Sequence, residues 1–503
     1  MLDHLAIWVN GRRHVVRGAD AFLSLSDFLR RKLGLMGTKI VCSEGDCGAC
    51  TVLIGRAADG EERLTYRAVD SCIQYLFQLD GTHIVTVEGL GGVERACSNW
   101  PSERLPPSPH DSGATFPTAV QQSMIDCHGS QCGFCTPGFV VTMTGLLEEY
   151  AELDEAVLRR GLTGNLCRCT GYTPIIESGE RVETARHRRL EELYPSRAML
   201  ADFAQRRRQP IEVSAQWNGE RHVIVSPPDL ARALAFFSAH PRATVVAGAT
   251  DVGVRINKSL AMPATILDLN RVAELDGISL EDGELVCGAR ASWTALEKVC
   301  QKHVPEFHKI IERFGAPQIR HVGTLGGNIA NASPIADSLP FLYVMEARLE
   351  LRSASGGRTV NINDFYRGYK QLDLRPGELI GRVRIALPAE GELLRLYKVS
   401  RRRDLDIASF TAAIRMRLEE GIIAAAAIAF GAVGPTVIRA RKTEQFLRGQ
   451  ALEEETMRRA GSIAVSEISP ISDVRGSADY RCQLTRNILL KFYHEAQGVA
   501  VPV

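Results

Sequence analysis

The sequence predicts a multidomain α+β architecture, and three observations carry that prediction. Two separate groups of four cysteines are confined to the first 169 residues, a Pro/Ser-rich stretch lies between them, and from Pro227 onward strand and helix patterns alternate around glycine-containing loops. A length of 503 residues suggests about three domains and is ample for several cores. Hydrophobic residues make up 45% and the formal net charge is +1, which gives no long-range bias toward nucleic acid or anionic membrane. No uninterrupted apolar run reaches membrane-spanning length. The start M-L-D-H-L-A-I-W-V-N shows no basic region followed by an apolar core and a cleavage site. The expectation is a cytoplasmic chain in a reducing environment, where cysteines serve as ligands rather than disulfides. Their distribution agrees, since of thirteen only Cys287, Cys300 and Cys482 lie beyond Cys169.

Residues 2–10 alternate weakly and end at Asn10-Gly11, a two-residue hairpin signal, with a second short strand from His14 to Val16. Leu25, Phe28, Leu29 and Leu33 mark one face of a helix that stops near Gly34. Then comes C-S-E-G-D-C-G-A-C, which supplies Cys42, Cys47 and Cys50, with Cys72 further on. Cys-x4-Cys-x2-Cys with a distant fourth cysteine is the plant-type [2Fe-2S] spacing. Gly45 and Gly48 let the backbone wrap tightly around a small inorganic core while amide groups approach its sulfides. Thr51 to Ile54 and Thr82 to Val87 read as further strands, and Glu88-Gly89 closes the unit. Cys97 falls outside the ligand pattern, and residues 98–113 have the composition of a surface linker.

Thr118 to Met124 starts helix-like and leads to Q-C-G-F-C-T-P-G. Phe139 to Tyr150 suits a buried helix and Leu153 to Arg160 a shorter one, after which G-N-L-C-R-C-T-G-Y follows. The pairs Cys132/Cys135 and Cys167/Cys169 thus fall at the ends or turns of a small helical bundle. Four thiolates of this kind can hold iron and sulfide or zinc. Cys-x-Cys departs from the usual structural-zinc knuckle spacing, though zinc stays open as a reading of this set alone. Residues 177–215 are charged and arginine-rich and read as a solvated helix or connector.

In the second half, Asp229 to Phe237 reads as a helix and Ala243 to Ala247 as a strand entering G-A-T-D-V-G, a loop able to turn backbone amides toward a diphosphate. Residues 313–337 concentrate small polar groups around Gly326-Gly327. Neither region is Gly-x-Gly-x-x-Gly, which excludes a Rossmann site. Phe410 to Met416 and Ile422 to Phe430 read as strands, and helices follow over Thr443 to Leu447, Glu454 to Ile463 and a last segment with Leu484, Ile488, Leu489 and Phe492 on one face.

Taken together, these motifs resemble the xanthine oxidase or molybdenum hydroxylase family along essentially the whole chain. The resemblance implies a plant-type ferredoxin β-grasp domain over 1–90, a helical [2Fe-2S] bundle domain over 91–180, and a linker over 181–215. It further implies a vanillyl-alcohol-oxidase-type FAD-binding domain over 216–390 and an α+β C-terminal flavoprotein domain over 391–503. Two [2Fe-2S] clusters would be held by Cys42, Cys47, Cys50 and Cys72 and by Cys132, Cys135, Cys167 and Cys169, with Gln131 contacting the pterin of a molybdenum cofactor. FAD would be lined by Val246, Ala247, Gly248, Ala249, Thr250, Asp251 and Val252, and by Thr324, Gly327, Asn328, Ser333 and Asp337. Phe314 and Ile380 would lie beside the flavin ring and Lys398 would contact it, while the Arg401 to Asp406 turn corresponds to a loop near the flavin in forms that use NAD.

One-electron clusters beside a two-electron flavin make a conduit between a two-electron donor and a two-electron acceptor. The resemblance implies that the donor is purine hydroxylation on a separate molybdopterin-binding large chain, in a heterotetramer of two small and two large chains, and that NAD+ is the acceptor. The alternatives are the same chain serving an aldehyde or N-heterocycle hydroxylase, or a free-standing NADH-linked electron carrier.

Overall fold

The computed structural model describes residues 1–57, 60–91, 117–217, 219–259 and 261–499. Cys97 and the Pro/Ser-rich stretch lie outside the described residues. The chain divides into two compact units. The first comprises Met1–Asp229, Arg242–Val272 and Ala316–Val322; the second comprises Leu230–Pro241, Ala273–Gly315 and Gly323–Val503.

The first unit opens with β1 (Leu5–Val9) and β2 (Arg12–Val16), joined by the expected turn, in which Asn10 and Gly11 both take positive φ. With β3 (Thr51–Arg56), β4 (Thr65–Asp70) and β5 (His83–Val85) they form a sheet of order β2-β1-β5-β3-β4. The β1/β5 pair is parallel and the other pairs are antiparallel, so a helical crossover lies on one face. That crossover is a short α-turn at Leu25–Asp27 running into a π-turn at Phe28–Lys32, ended by Gly34 at φ +68°. Leu25, Phe28, Leu29 and Leu33 bury against Leu5, Ile7, Val52 and Ile54, the face read from the sequence.

The helical layer begins at Ala119–Asp126, where Thr118 and Gln121 form a capping box. Next come Thr136–Glu149, with Phe139, Val140, Val141, Met143 and Leu147 buried, then Glu155–Gly161 and Thr173–Glu180. The charged stretch after these helices is not the solvated connector that its composition suggests. Leu190, Tyr194, Met199 and Phe203 are buried in the same core as Phe139 and Val140. On the helix Arg197–Arg207, Asp202 accepts from Trp8 Nε1 at 3.0 Å and pairs with Arg13 at 2.9 Å. Arg206, 5% exposed, donates to Asp80 at 2.7 Å, and Asp80 also accepts from the Ala6 amide. The periodicity missed this because the arginines mask the sparse apolar positions that decide burial.

The unit is completed by a sheet of order β6-β7-β9-β8: β6 (Ile211–Trp217), β7 (Glu220–Ser226), β8 (Thr244–Val246) and β9 (Thr265–Asp268). Leu2 bridges to Ile211 beside β6, and Ile211, Val213, Ile224, Val246 and Ile266 join the β-grasp core.

In the second unit, β10 (Ile278–Glu281), β11 (Glu284–Gly288), β12 (Arg348–Ser353), β13 (Gly356–Asn361) and β16 (Leu379–Ala386) form a sheet of order β10-β11-β16-β12-β13, while β14 (Tyr366–Gly368) and β15 (Gln371–Leu372) pair separately. An antiparallel sheet of β17 (Leu393–Val399), β18 (Phe410–Glu419), β19 (Ile422–Gly431) and β20 (Ile438–Arg439) carries the helices Arg441–Leu447, Glu454–Val465 and Ala478–Ala496. Of these, β18, β19 and the three helices are the elements read from the sequence, while β17 and β20 are added by the structure. Residues expected to form one flavin domain are therefore divided between both units. No helix among the described residues is long and apolar enough to cross a membrane.

His83 is fully buried in the β-grasp core, with Nε2 accepting from the Gly11 amide and Nδ1 facing the Tyr66 hydroxyl at 2.7 Å. An imidazole so held is neutral, and burial depresses its pKa to about 3. The unfolded chain therefore takes up this proton below pH ~6.5 while the folded chain does not, so stability falls as pH drops from there toward 3. Chemical denaturation at pH 7.5 and pH 5 is expected to show about 2 kcal/mol less stability at the lower pH from this residue, and His83→Gln should flatten that dependence.

Candidate iron-sulfur and flavin sites

The sheet places the first cysteine group. Cys50 immediately precedes β3 and Cys72 follows β4, so both enter the core, at 2% and 3% exposure, while Cys42 and Cys47 are half-buried in the preceding loop. That loop takes left-handed φ at Ser43, Gly45 and Gly48. At Gly45 a Cβ would lie 2.7 Å from the side chains of Ile73 and Ile319, which shows how tightly the loop is wrapped. The four thiols converge, with Cys42 hydrogen-bonded to Cys47 and Cys72, and Cys72 also to Cys50. Hydrogen bonds from Cys47 and Cys72 hold Cys42 far below the usual thiol range, and donation to Cys42 together with burial pushes Cys47 and Cys72 far above it, so one thiolate is held by its thiol neighbours. The Glu44 amide donates to Cys42 Sγ at 3.4 Å.

The second group falls as two pairs, Cys132 with Cys169 and Cys135 with Cys167. Burial and the Cys167 contact push Cys135 up to about 12. Burial opposes ionisation of Cys167, but donation from the Thr170 hydroxyl and amide outweighs it and leaves Cys167 below its ordinary value. Among the described residues no three or more His, Cys, Asp or Glu side chains are grouped around a single-ion position. Two pairs of thiols suit a binuclear all-sulfur centre, one pair to each iron, better than a tetrahedral zinc. Cys132 and Cys169 are exposed, with Gln131 exposed beside them and Phe134, Leu166 and Tyr172 each at least 40% exposed around them.

The two cysteine loops touch through backbone. The Leu166 amide, adjacent to Cys167, donates to the Cys47 carbonyl at 2.9 Å. Asn165 Nδ2 donates to the Gly48 carbonyl at 3.2 Å, and Asn165 Oδ1 accepts from Thr142 and Gln318, each at 3.0 Å. A Cβ on Gly138 would sit 2.2 Å from the Gly48 carbonyl oxygen. Asn165 and Gln318 were missed from the sequence, and their only signal is that both are fully buried polar residues with no charge to advertise them.

The residues expected to line a flavin are divided between the two units. In the first, Val246 ends β8 and the loop through Thr250 and Asp251 enters the helix Val252–Ser259. Ala249 takes φ +57°. The Ala247 carbonyl accepts from Gln78 and Asn270, and the Gly248 carbonyl from Gln74 at 3.1 Å. Side-chain amides thus engage the Ala247 and Gly248 carbonyls, which leaves a loop able to offer its backbone amides to a diphosphate. In the second unit, Thr324 caps the helix Leu325–Asn331 by accepting from the Gly327 amide at 3.1 Å, so that amide is engaged within the protein. Asn328 accepts from Ser338, the Ser333 hydroxyl accepts weakly from the Ile335 amide, and Ile380 is buried on β16 opposite Leu351. Phe314 packs on Trp293 at 4.5 Å between ring centroids.

Asp337 and Lys398, expected singly, form a buried ion pair at 2.6 Å, and Lys398 also donates to the Arg313 carbonyl. Burial raises the Asp337 carboxyl against the pull of Lys398. Its Oδ1 is buried with no hydrogen-bond partner. A buried acceptor left open in this way fits a ribityl or flavin donor supplied by a bound cofactor.

Comparison with known proteins agrees with this geometry. Residues 218–389 match the FAD binding domain in molybdopterin dehydrogenase, residues 395–496 the CO dehydrogenase flavoprotein C-terminal domain, and residues 110–180 a [2Fe-2S] binding domain. A quinoline 2-oxidoreductase chain from Pseudomonas putida 86 is 30% identical over 54% of this chain and 96% of its own, with a TM-score of 0.51. This chain belongs to the molybdenum hydroxylase superfamily. Within that superfamily, a CO dehydrogenase chain from Oligotropha carboxidovorans is 29% identical over 55% of this chain and 97% of its own, with a TM-score of 0.51. Xanthine dehydrogenase of Emericella nidulans is 30% identical over 98% of this chain and 38% of its own length. Aldehyde oxidase 2 of Cavia porcellus is 29% identical over 98% and 39%. The chain therefore spans about two fifths of the length of these curated superfamily members. The fold is the expected one, a multidomain assembly of [2Fe-2S], FAD-binding and flavoprotein C-terminal domains.

Two substitutions test the sites. Gly138→Ala drives a methyl into the Gly48 carbonyl, and denaturation should show a loss of ~1–3 kcal/mol with fewer irons retained; wild-type values for both would refute the backbone contact. Asp337→Asn keeps the shape but removes the charge opposite Lys398, and flavin content per chain should fall several-fold with both iron-sulfur spectra unchanged.

Proposed function

We propose that this chain is the electron-transfer part of a molybdenum hydroxylase, with two [2Fe-2S] clusters and FAD, working with a molybdopterin-binding chain. The observation that carries this reading is the placement of the cysteines. Cys132 and Cys169 stand exposed among Phe134, Leu166 and Tyr172, as a partner-facing centre requires, while Cys50 and Cys72 are buried. When bound, the clusters supply one-electron transfer and FAD supplies two-electron exchange with a hydride acceptor.

The chain's own residues hold and order these groups. Cys132, Cys135, Cys167 and Cys169 fix the partner-side cluster, and exposed Gln131 contacts the partner's pterin in this reading. The hydrogen bond from the Leu166 amide to the Cys47 carbonyl links the ligand loops of the two clusters. Cys42, Cys47, Cys50 and Cys72 fix the cluster nearer the 246–252 loop, whose carbonyls are held by Gln74 and Gln78 just beyond Cys72. Val246 to Val252 and Thr324, Gly327, Asn328, Ser333, Asp337, Lys398, Phe314 and Ile380 line the flavin. In this reading none of the named residues needs to act as a base toward the hydroxylated substrate.

The finer reading is the small subunit of a xanthine dehydrogenase, taking electrons from purine hydroxylation to NAD+ in the cytoplasm, in a heterotetramer of two small and two large chains. Its support is similarity along 98% of this chain to xanthine dehydrogenases. The second reading, an aldehyde or N-heterocycle hydroxylase, rests on equal similarity to aldehyde oxidases and on the match to quinoline 2-oxidoreductase.

The test is co-expression with a molybdopterin-binding large chain, with molybdenum, iron and flavin counted in the sample assayed. Xanthine-dependent NADH formation with four irons' worth of [2Fe-2S] signal and one FAD is the outcome expected of the finer reading. A loaded complex inert toward purines but active on an aldehyde or quinoline transfers the substrate assignment to the second reading. In the same complex Cys135→Ser should abolish substrate-driven flavin reduction and leave NADH-driven flavin reduction largely intact, and equal loss of both with FAD bound would overturn the proposed order.

A further inference from the structure

We infer that Asn257 is a positioning residue that sets the reduction potential of the cluster held by Cys42, Cys47, Cys50 and Cys72; the inference rests on that cofactor assignment. Asn257 lies on the helix Val252–Ser259, which leaves the 246–252 loop directly. Its side-chain amide donates to two carbonyls of the cysteine loops, those of Ser43 and Cys72, both at 2.9 Å. Its oxygen accepts from the Tyr75 hydroxyl at 2.8 Å, which fixes the amide orientation. The helix sits close enough for this because residue 253 is glycine, where a Cβ would lie 2.5 Å from the Ile73 carbonyl oxygen. One residue on, Lys258 pairs with Glu44 at 2.8 Å and holds the same loop from outside.

The Ser43 bond matters for a stereochemical reason. Ser43 is not glycine yet takes φ +57°, a conformation that costs energy and must be held by its surroundings. The carbonyl of Ser43 and the amide of Glu44 belong to one peptide plane, so gripping the oxygen aims the N-H. That N-H is the one donating to Cys42 Sγ at 3.4 Å. Donors to ligating sulfurs stabilise the more negative, reduced cluster and raise its potential. Asn257 therefore acts on the cluster through the Glu44 amide without touching a sulfur itself. It also makes the potential of this cluster answer to the position of the helix that follows the flavin loop.

The experiment is a redox titration of the full chain with both clusters loaded, followed by the separate electron paramagnetic resonance signals of the two centres. Asn257→Leu removes both donors at similar volume. The expected result is a shift of the first cluster to lower potential, on the order of a tenfold change in its reduced-to-oxidised ratio at fixed potential, about 59 mV for one electron. The Cys132 to Cys169 cluster should titrate as in wild type. Asn257→Asp, which still accepts from Tyr75 but cannot donate, should shift the first cluster in the same direction. An unchanged midpoint in Asn257→Leu, with both signals at wild-type intensity, would overturn the inference. If Asn257→Leu fails to retain the first cluster, Tyr75→Phe decides, because it leaves both donors and removes only their orientation. A smaller shift of the same sign supports the role, and no shift overturns it.

Discussion

The structure of the first unit depends on a close backbone contact between its two cysteine loops. Gly48, with φ +67°, presents its carbonyl to the start of the helix Thr136–Glu149 at a point where Gly138 leaves room, and Asn165 closes the contact from the other loop. Side chains would hold the loops too far apart for the Leu166 amide to reach the Cys47 carbonyl. Glycine at 48, 138 and 164 is a geometric requirement at these positions, since a Cβ at any of them would fall within 2.4 Å of another atom. The group with buried Cys50 and Cys72 and the group with exposed Cys132 and Cys169 thereby become neighbours.

Around that contact, buried polar side chains do the ordering. Gln318, Asn165 and Thr142 form one buried chain of hydrogen bonds, while Gln74 and Gln78 hold the carbonyls of Gly248 and Ala247 and Tyr75 donates to Asn257. Neutral amides suit this work because they donate and accept without bringing a second charge close to the cysteines. Charge is used where the chain needs a specific register instead. Asp80 ties Arg206 of the connector helix to the Ala6 amide of the first strand, and Arg481, 1% exposed, gathers the Ser409 and Ile471 carbonyls and Asp473. Removing one partner from such a pair leaves an uncompensated buried charge, which costs far more than the pair contributes.

The amino-acid sequence by itself determined the parts whose chemistry is local. Cysteine spacing marked out two groups of four cysteines as candidate ligands, because the Cys-x4-Cys-x2-Cys, Cys-x2-Cys and Cys-x-Cys runs are properties of a few consecutive residues. Asn10-Gly11 announced the hairpin, and the Phe410 to Phe492 patterns announced the last sheet and its helices, because turn chemistry and side-chain periodicity act over short range. Only the tertiary structure decided what lies between distant residues. It paired Cys132 with Cys169 and Cys135 with Cys167, turned Asp337 and Lys398 into an ion pair, and buried the arginine-rich connector. A pairing between residues 60 or 200 positions apart leaves no local pattern, and an asparagine such as Asn257 reads as surface polarity until the backbone that its amide meets has been folded into reach.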